Sequence, residues 1–326
     1  MTEGAYLGVY LTPLAPYLAQ PDVTDLYINR PGEIWIERLE QKPERHAAPA
    51  LTESLLWRLA KQVASLTHQG ISREHPLLSA RLPDGARIQI IAPPATRGPI
   101  AIAIRKHLVA DMTLDDYVAQ GAFAQTVRGD RANDDDQLAS LYEAGDWSAF
   151  LRLAVRQRKI ILISGGTSTG KTTFLNALLQ EVDASERLVL IEDTPEIKLR
   201  HDNAIGLVAV RGELGETSVT PDDLLTATLR MRPDRIIVGE LRGPEAATFL
   251  RAANTGHPGS MSTIHADTPE GAIEQLAMLA SPQRPDNDRH SIKGYARGII
   301  DIVVQLARTE ARRGVSHVVW HGGGPP

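Results

Sequence analysis

Apolar and polar residues alternate along several short stretches of the first hundred residues. Alternation with a period of two predicts β-strands at residues 23–29, 33–38, 77–82, 87–91 and 100–104. The first pair of stretches flanks Arg-Pro-Gly and the second pair flanks Pro-Asp-Gly, so each pair is predicted to form a hairpin. Apolar residues also recur at helical spacing between residues 51 and 68. The pattern predicts an α+β domain, an antiparallel sheet covered by a helix, that ends near Arg105.

The pattern changes after residue 158, where short continuous apolar runs replace the alternation. Such runs predict buried parallel strands, here at residues 159–163, 187–192, 235–238 and 260–263. Helical spacing predicts helices at residues 138–158, 173–182, 221–230, 244–254 and 269–279. Residues 300–306 and 315–320 are predicted to add a closing hairpin. The order of elements predicts an α/β fold with a mostly parallel sheet and helices on both faces.

The stretch between these two patterned regions contains little strand signal. We therefore predict an N-terminal domain at residues 1–106, a linker at residues 107–137 and a second domain at residues 138–326. The acidic run at residues 134–136 can be interpreted as a metal site or as a solvated loop. The loop is favoured because no neighbouring residue fixes a ligand geometry.

Composition and charge narrow the classes of function. Of the 326 residues, 42% are hydrophobic, which is enough for sizeable cores. A formal charge of −5 and an aromatic content of 5% give no sign of a surface that binds nucleic acid directly. The absence of cysteine excludes disulfides, cysteine-ligated zinc and thiol catalysis. Without a basic-then-apolar leader or an apolar run near the roughly 20 residues of a membrane span, we expect a cytoplasmic protein with at most peripheral membrane contact.

The most specific chemical signal is a glycine-rich run between a predicted strand and a predicted helix. Residues 165–172 read GGTSTGKT and satisfy the phosphate-loop pattern G-x-x-x-x-G-K-[ST]. Loop N–H groups and a helix N-terminus would face phosphate oxygens, Lys171 adds a full positive charge, and the Thr172 hydroxyl suits Mg²⁺. The predicted nucleotide-binding residues are Gly165, Gly166, Thr167, Ser168, Thr169, Gly170, Lys171, Thr172 and Thr173. The run predicts a protein that binds a nucleoside triphosphate.

Polar residues follow three other predicted strands of the second domain. The run at residues 192–196 follows one strand, Glu240 follows another, and His265 follows a third. Acids at such positions also serve as N-caps, but two of them behind a phosphate loop favour Mg²⁺ binding and activation of water. His265 is placed to reach a γ-phosphate or to make an ordinary strand-end hydrogen bond. A metal site with His257 would lack a third ligand at suitable spacing.

Four ordered motifs resemble those of the type II/type IV secretion ATPases. The phosphate loop and residues 191–197, 232–242 and 256–266 resemble their Walker A, Asp-box, Walker B and His-box motifs. Residues 25–37 and 100–106 are similar to the branch that serves type IV secretion and conjugative transfer. The resemblance implies a hexameric ring, with a sensor-like domain before each RecA-like motor domain. It implies hydrolysis of ATP with Mg²⁺ to energise substrate export or pilus biogenesis.

The resemblance also implies a place for the protein in the cell. The expected partners are other copies of the chain and the other ATPases and inner-membrane components of a type IV secretion system. The expected location is the cytoplasmic side of a bacterial inner membrane, with peripheral contact to it.

Individual roles follow from the same resemblance. Lys171 and Thr172 match residues that bind phosphate and Mg²⁺, and Glu196, the last acid of the Asp box, matches the general base. Glu240 matches the Walker B acid, which holds Mg²⁺ directly or through water, and His265 matches a γ-phosphate sensor.

Two arginines and one loop position complete the comparison with the family. Arg105 resembles an arginine that reaches the nucleotide from the N-terminal side, although it also reads as the solvated end of an apolar strand. Arg87 is a weaker match of that kind. The family loop often has glycine where this chain has Ser168, so we expect that residue to avoid strongly positive φ.

Other functions stay open at this point. A pilus-assembly or type II secretion motor often carries a four-cysteine zinc insertion, which this chain lacks. Pilus-retraction motors lack that insertion too, so the N-terminal hairpin is the better discriminator against them. A nucleic-acid translocase would need a basic or aromatic channel. A scaffold that binds ATP and barely hydrolyses it would differ from a motor in steady-state phosphate release.

Overall fold

The computed structural model describes residues 5–39, 41–106, 136–209, 216–281, 289–308 and 312–321. Of the predicted linker, residues 107–135 lie outside the described residues. Asp134 and Asp135 of the acidic run are among them, whereas Asp136 begins a helix. The described residues form two sheets with helices, which confirms the predicted mixed architecture. The domain boundaries near residues 106 and 138 stay a prediction.

The first sheet contains six strands, and every neighbouring pair is antiparallel. Its order is β3-β2-β1-β6-β5-β4. The strands are β1 Val23–Ile28, β2 Gly32–Arg38, β3 Glu44–Ala48, β4 Leu77–Arg81, β5 Arg87–Ile91 and β6 Ala101–Arg105. Both predicted hairpins are confirmed, with Leu26 opposite Ile36 in the first and Leu78 opposite Ile90 in the second. Strand β3 was not predicted because its sequence, ERHAA, lacks apolar alternation.

One long helix, Glu53–Leu66, covers this sheet. Thr52 caps it, since its hydroxyl accepts a 3.2 Å hydrogen bond from the Leu55 N–H. Leu56, Leu59 and Val63 lie at helical spacing on the buried face and pack in one apolar core with the strands. Two short helices, Ala5–Leu11 and Ala15–Leu18, precede the sheet and were not predicted.

The second sheet contains seven strands in the order β13-β12-β7-β11-β10-β8-β9. They are β7 Ile161–Gly165, β8 Leu188–Glu192, β9 Ala204–Val208, β10 Arg235–Val238, β11 Met261–Ile264, β12 Ile302–Arg308 and β13 Arg313–Trp320. All pairs are parallel except β12 and β13, which form the predicted closing hairpin. Strand β9 was not predicted, because Gly206 interrupts a short apolar run at the sheet edge.

Helices surround the parallel sheet, in agreement with the alternating pattern. They are Asp136–Glu143, Trp147–Arg156, Lys171–Leu178, Pro221–Thr228, Glu245–Asn254, Pro269–Ala280 and Arg289–Ile299, with a 3₁₀ turn at Leu179–Glu181. The prediction of one helix over residues 138–158 is wrong. Gly145, at φ +68°, breaks it, and Asp146 caps the second half by accepting from the Ala149 N–H at 3.1 Å. The helix Arg289–Ile299 was not predicted.

The two sheets meet along the edge strand β9. Residues 95–97, which lie between β5 and β6, run antiparallel to it: Val208 N donates to Ala95 O at 3.0 Å, and Arg97 N donates to Gly206 O at 2.9 Å. Deeper in the junction, the guanidinium of the fully buried Arg187 lies 4.1 Å from the centroid of the Tyr27 ring. Within the described ranges, no helix has the length and apolar character needed to span a bilayer.

Candidate nucleotide site

The glycine-rich run connects strand β7 to the helix Lys171–Leu178. Gly170 precedes the helix at φ +94°, a conformation that residues with a Cβ rarely adopt. Gly165 is fixed for another reason, since a Cβ there would lie 2.9 Å from the carbonyl oxygen of Leu306 on β12. The local backbone therefore requires glycine at both positions.

Ser168 adopts a left-handed backbone conformation, with φ at +60°. The expectation that this position avoids strongly positive φ is wrong, because Ser168 takes the left-handed conformation that glycine adopts without strain. A non-glycine residue in this region costs roughly 1–2 kcal/mol, which the surrounding loop contacts must offset. One such contact is the hydrogen bond from the Thr169 hydroxyl to Gly166 O at 2.9 Å.

The Lys171 side chain is buried inside the loop. Its ammonium donates to the carbonyl oxygens of Gly165 at 2.9 Å and Gly166 at 3.1 Å. Burial lowers the pKa of Lys171, while the nearby carboxylate of Glu240 opposes that change. The amine is thus held at the centre of the loop in a partly desolvated position, where its charge acts strongly on a phosphate.

Three strand ends bring their polar residues to the same edge of the sheet as the loop. Because parallel strands share the direction of their carboxyl ends, residues that follow β8, β10 and β11 meet there. His265 Nε2 lies 2.8 Å from Glu240 Oε1 and 3.2 Å from Lys171 Nζ. Arg242 donates to the other oxygen of Glu240 at 2.5 Å. The predicted juxtaposition of Lys171, Glu240 and His265 is therefore present in the fold.

The two Asp-box glutamates have different surroundings. Glu192 is buried, and its Oε1 accepts from the backbone N–H groups of Glu196 and Ile197, each at 2.9 Å. Its second oxygen pairs with the guanidinium of Arg97. Glu196 is exposed. Glu192 is therefore held inside the protein, whereas the Glu196 carboxylate faces the surface of the site.

A cavity lies beside the phosphate loop, between the residues that follow β8 and those that follow β10. Thr172, Glu196 and Glu240 line it together with Asp193 and Arg242. A hydroxyl and several carboxylates form an oxygen-only donor set of the kind that Mg²⁺ prefers. Within the described residues no three acids or histidines are grouped closely enough to hold a metal ion by themselves. The side chains therefore fit a magnesium ion whose remaining ligands are phosphate oxygens of a nucleotide and water.

Arg105 does not lie with the phosphate loop of its own chain. Its exposed side chain is 3.9 Å from Asp25, and it lines a different cavity at the junction of the two sheets. Five arginines line that cavity: Arg81, Arg87, Arg105, Arg230 and Arg232. Arg87, the weaker match, thus shares the location of Arg105.

Sequence reasoning missed two arginines of the site, Arg97 and Arg242. Arg97 pairs with Glu192 from the N-terminal part of the chain, almost a hundred residues away in sequence, and no local pattern marks it. Arg242 could have been found, because it closes the same strand-end run as Glu240 and lies 3.8 Å from Asp193.

Comparison with known proteins agrees with this geometry. A family model described as type II/IV secretion system protein matches residues 10–313. The type IV secretion system protein VirB11 of Bartonella quintana is 36% identical over 95% of this chain and 91% of its own length. The Brucella suis protein of that name is 38% identical over 93% and 86%, and the PtlH homolog of Bordetella bronchiseptica is 36% identical over 99% and 97%.

A solved structure extends the similarity to the whole fold. The crystal structure of the VirB11 ATPase from the Brucella suis type IV secretion system, in complex with sulphate, superposes with a TM-score of 0.91 at 37% identity. The match covers 98% of this chain and 95% of that one.

Proposed function

The chain belongs to the type II/IV secretion system protein family and is an ATP hydrolase, and we propose that it energises substrate export or pilus biogenesis by a type IV secretion system. The observation that carries the proposal is the convergence of Lys171, Glu240 and His265 at one sheet edge, beside a cavity lined by Thr172 and Glu196. These are the parts that phosphoryl transfer to water requires.

Each side chain has a task in that reaction. The Lys171 ammonium binds the β- and γ-phosphates and stabilises the charge that develops between them. Glu196, exposed at the cavity, accepts the proton of the attacking water. His265 is held beside Glu240 and Lys171, so its ring can contact the γ-phosphate and respond to its loss.

Thr172 and Glu240 would hold the magnesium ion. When bound, Mg²⁺ neutralises charge on the transferred phosphoryl group. Arg242 fixes the orientation of Glu240 through a 2.5 Å hydrogen bond, so that carboxylate is positioned before the ion arrives.

The protein works as a ring of six copies in this proposal. The arginine-lined cavity that contains Arg87 and Arg105 carries strong positive charge at a distance from the chain's own phosphate loop. In a cyclic ring such a surface can face the phosphates bound by a neighbouring copy. Arg105 would then contribute to hydrolysis across the interface between copies.

The proposal is tested on Lys171, which touches the phosphates directly. Lys171→Ala should reduce steady-state phosphate release by about 10³-fold or more, because it removes the buried charge from the transition state. Export should also stop in cells that carry only this variant, while circular dichroism of the purified protein stays unchanged. Substantial ATP hydrolysis by Lys171→Ala would remove the phosphate loop from the mechanism.

The same assays separate the other functions. Slow phosphate release by the unaltered protein would favour a nucleotide-binding scaffold. Strong stimulation by DNA would favour a translocase, and loss of pilus extension or retraction with normal export would favour a pilus motor. The proposed location is the cytoplasmic face of the inner membrane, in contact with the other components of the secretion system. Fractionation of cells and cross-linking to those components tests it.

A further inference from the structure

Arg97 links the N-terminal part of the chain to the nucleotide site. It lies in the segment that runs antiparallel to the edge strand β9, where its own N–H donates to Gly206 O at 2.9 Å. From this backbone position the side chain passes over β9 towards the carboxyl end of β8. The segment belongs to the connection between β5 and β6, so it is anchored at both ends to the first sheet.

The path of the side chain depends on Gly206. A Cβ at that position would lie 2.5 Å from Cδ of Arg97 and 2.7 Å from its Nε, so any larger residue would displace the arginine. Beyond Gly206, the guanidinium donates to the carbonyl oxygen of Ile197 at 2.7 Å and pairs with the carboxylate of Glu192. The side chains of this ion pair are 15% and 4% exposed, which excludes most competing water.

Glu192 connects Arg97 to the Asp-box loop, because one of its carboxylate oxygens pairs with Arg97 and the other binds the loop backbone. The second of these oxygens accepts from the backbone N–H groups of Glu196 and Ile197. Arg97 thus holds the loop twice, through Glu192 and through Ile197 O. The loop carries Glu196, and Asn176 from the helix behind the phosphate loop accepts from the Lys198 N–H at 2.8 Å on the far side.

We propose that Arg97 is a positioning residue for ATP hydrolysis: it fixes the Asp-box loop, and with it Glu196, only while the first sheet is docked on β9. The N-terminal part of the chain then controls turnover without touching the nucleotide. The inference rests on the proposed function, since it takes Glu196 as the general base. A displacement of the base by about 1 Å can cost on the order of 10²-fold in rate, which sets the size of the expected effect.

The test compares two arginines that bridge the same two parts of the chain. Arg97→Met should lower kcat by about 10- to 100-fold and change the dissociation constant of a non-hydrolysable ATP analogue by less than about 3-fold. The matched control is Arg73→Met, which removes an exposed ion pair to Glu216, a residue outside the Asp-box loop. It should leave both constants unchanged.

Two further variants distinguish positioning from general damage to the fold. Gly206→Ala should reproduce the loss of kcat with Arg97 still present, because the added methyl group displaces its side chain. In a Glu192→Gln background, Arg97→Met should cost less than it does alone, since the ion pair is already lost there and only the hydrogen bond to Ile197 O remains to be removed. Titration of binding sites with the ATP analogue should give a full complement of sites in every variant.

The possible failures can be told apart. If the unaltered protein hydrolyses ATP and Glu196→Gln does not, but Arg97→Met keeps its kcat, this inference is wrong and the proposed function stands. An Arg97→Met protein that loses binding sites in proportion to its activity would also contradict it, because misfolding would then explain the loss. If the unaltered protein releases no phosphate, the proposed function itself fails.

Discussion

Two of the acids that line the cavity beside the phosphate loop, Glu240 and Glu196, differ in what holds their carboxylates. Glu240 is fixed by Arg242 and lies 2.8 Å from His265, so both of its oxygens have neighbours within hydrogen-bonding distance. Glu196 is held through its backbone, and its side chain is exposed at the cavity. A carboxylate fixed on both oxygens suits a constant task such as holding an ion, whereas a freer one suits proton transfer.

This difference predicts separable effects of two substitutions. Glu196→Gln should keep nucleotide affinity and lose hydrolysis by about 10²-fold or more, because an amide cannot accept the proton of the attacking water. Glu240→Gln should instead raise the Mg²⁺ concentration needed for half-maximal turnover. Rates measured over a magnesium titration, with analogue binding in parallel, check both. If Glu196→Gln hydrolyses ATP normally and Glu192→Gln does not, the general base is Glu192, and the assignment to Glu196 is wrong.

At the scale of elements, local pattern predicted the strands that carry the site. Strands β7, β8, β10 and β11 are short apolar runs, and each is followed within a few positions by a candidate site residue. The order of these strands in the sheet then brings the residues together, which is why the site could be predicted without coordinates. Ser168 could not be predicted in this way, because its φ is set by the whole loop.

The elements that sequence pattern missed are those whose stability comes from distant partners. Strand β9 is a short edge strand interrupted by Gly206, and it is completed by β8 on one side and by residues 95–97 on the other. The pairing of Arg97 with Glu192 depends on that docking and leaves no local signal. The helix break at Gly145 was hidden by apolar spacing that continues on both sides of it.

A buried ion pair joins the start of β10 to the segment that precedes β8, and its removal predicts a large loss of stability. Arg235 at the start of β10 is fully buried and donates to both oxygens of Glu186 at 2.8 and 2.7 Å. Glu186→Ala leaves that charge without its partner and should lower the free energy of unfolding by about 3–5 kcal/mol. Urea unfolding followed by circular dichroism measures the change.

The control for that measurement is a salt bridge at the surface. Glu274, whose side chain is 61% exposed, pairs with Lys293, and Glu274→Ala should leave the unfolding midpoint unchanged. If Glu186→Ala also leaves the unfolding midpoint unchanged, the Arg235 guanidinium binds water or another acceptor in the variant, and the pair does not stabilise the sheet.

At the scale of the whole molecule, charge is distributed unevenly between two cavities. The cavity beside the phosphate loop is lined by the acids Glu192, Asp193, Glu196 and Glu240 as well as by Arg242, and the cavity at the junction of the sheets is lined by five arginines. A phosphate group bound at the first would need compensating positive charge, which the second carries. In the proposed ring a copy would supply that charge to its neighbour, and the proposal therefore places the two cavities on opposite sides of one interface.

Mixed rings test whether Arg105 acts in this way. Lys171→Ala and Arg105→Ala should each hydrolyse ATP far more slowly than the unaltered protein. When the two variants are co-expressed in equal amounts, about one interface in four combines an intact loop with an intact Arg105 from the neighbouring copy. Turnover should therefore return to roughly a quarter of the unaltered rate if sites work independently. If mixed rings hydrolyse ATP no faster than either variant alone, Arg105 does not act on the site of a neighbouring copy. A protein that stays monomeric at micromolar concentration, with and without an ATP analogue, would exclude the ring.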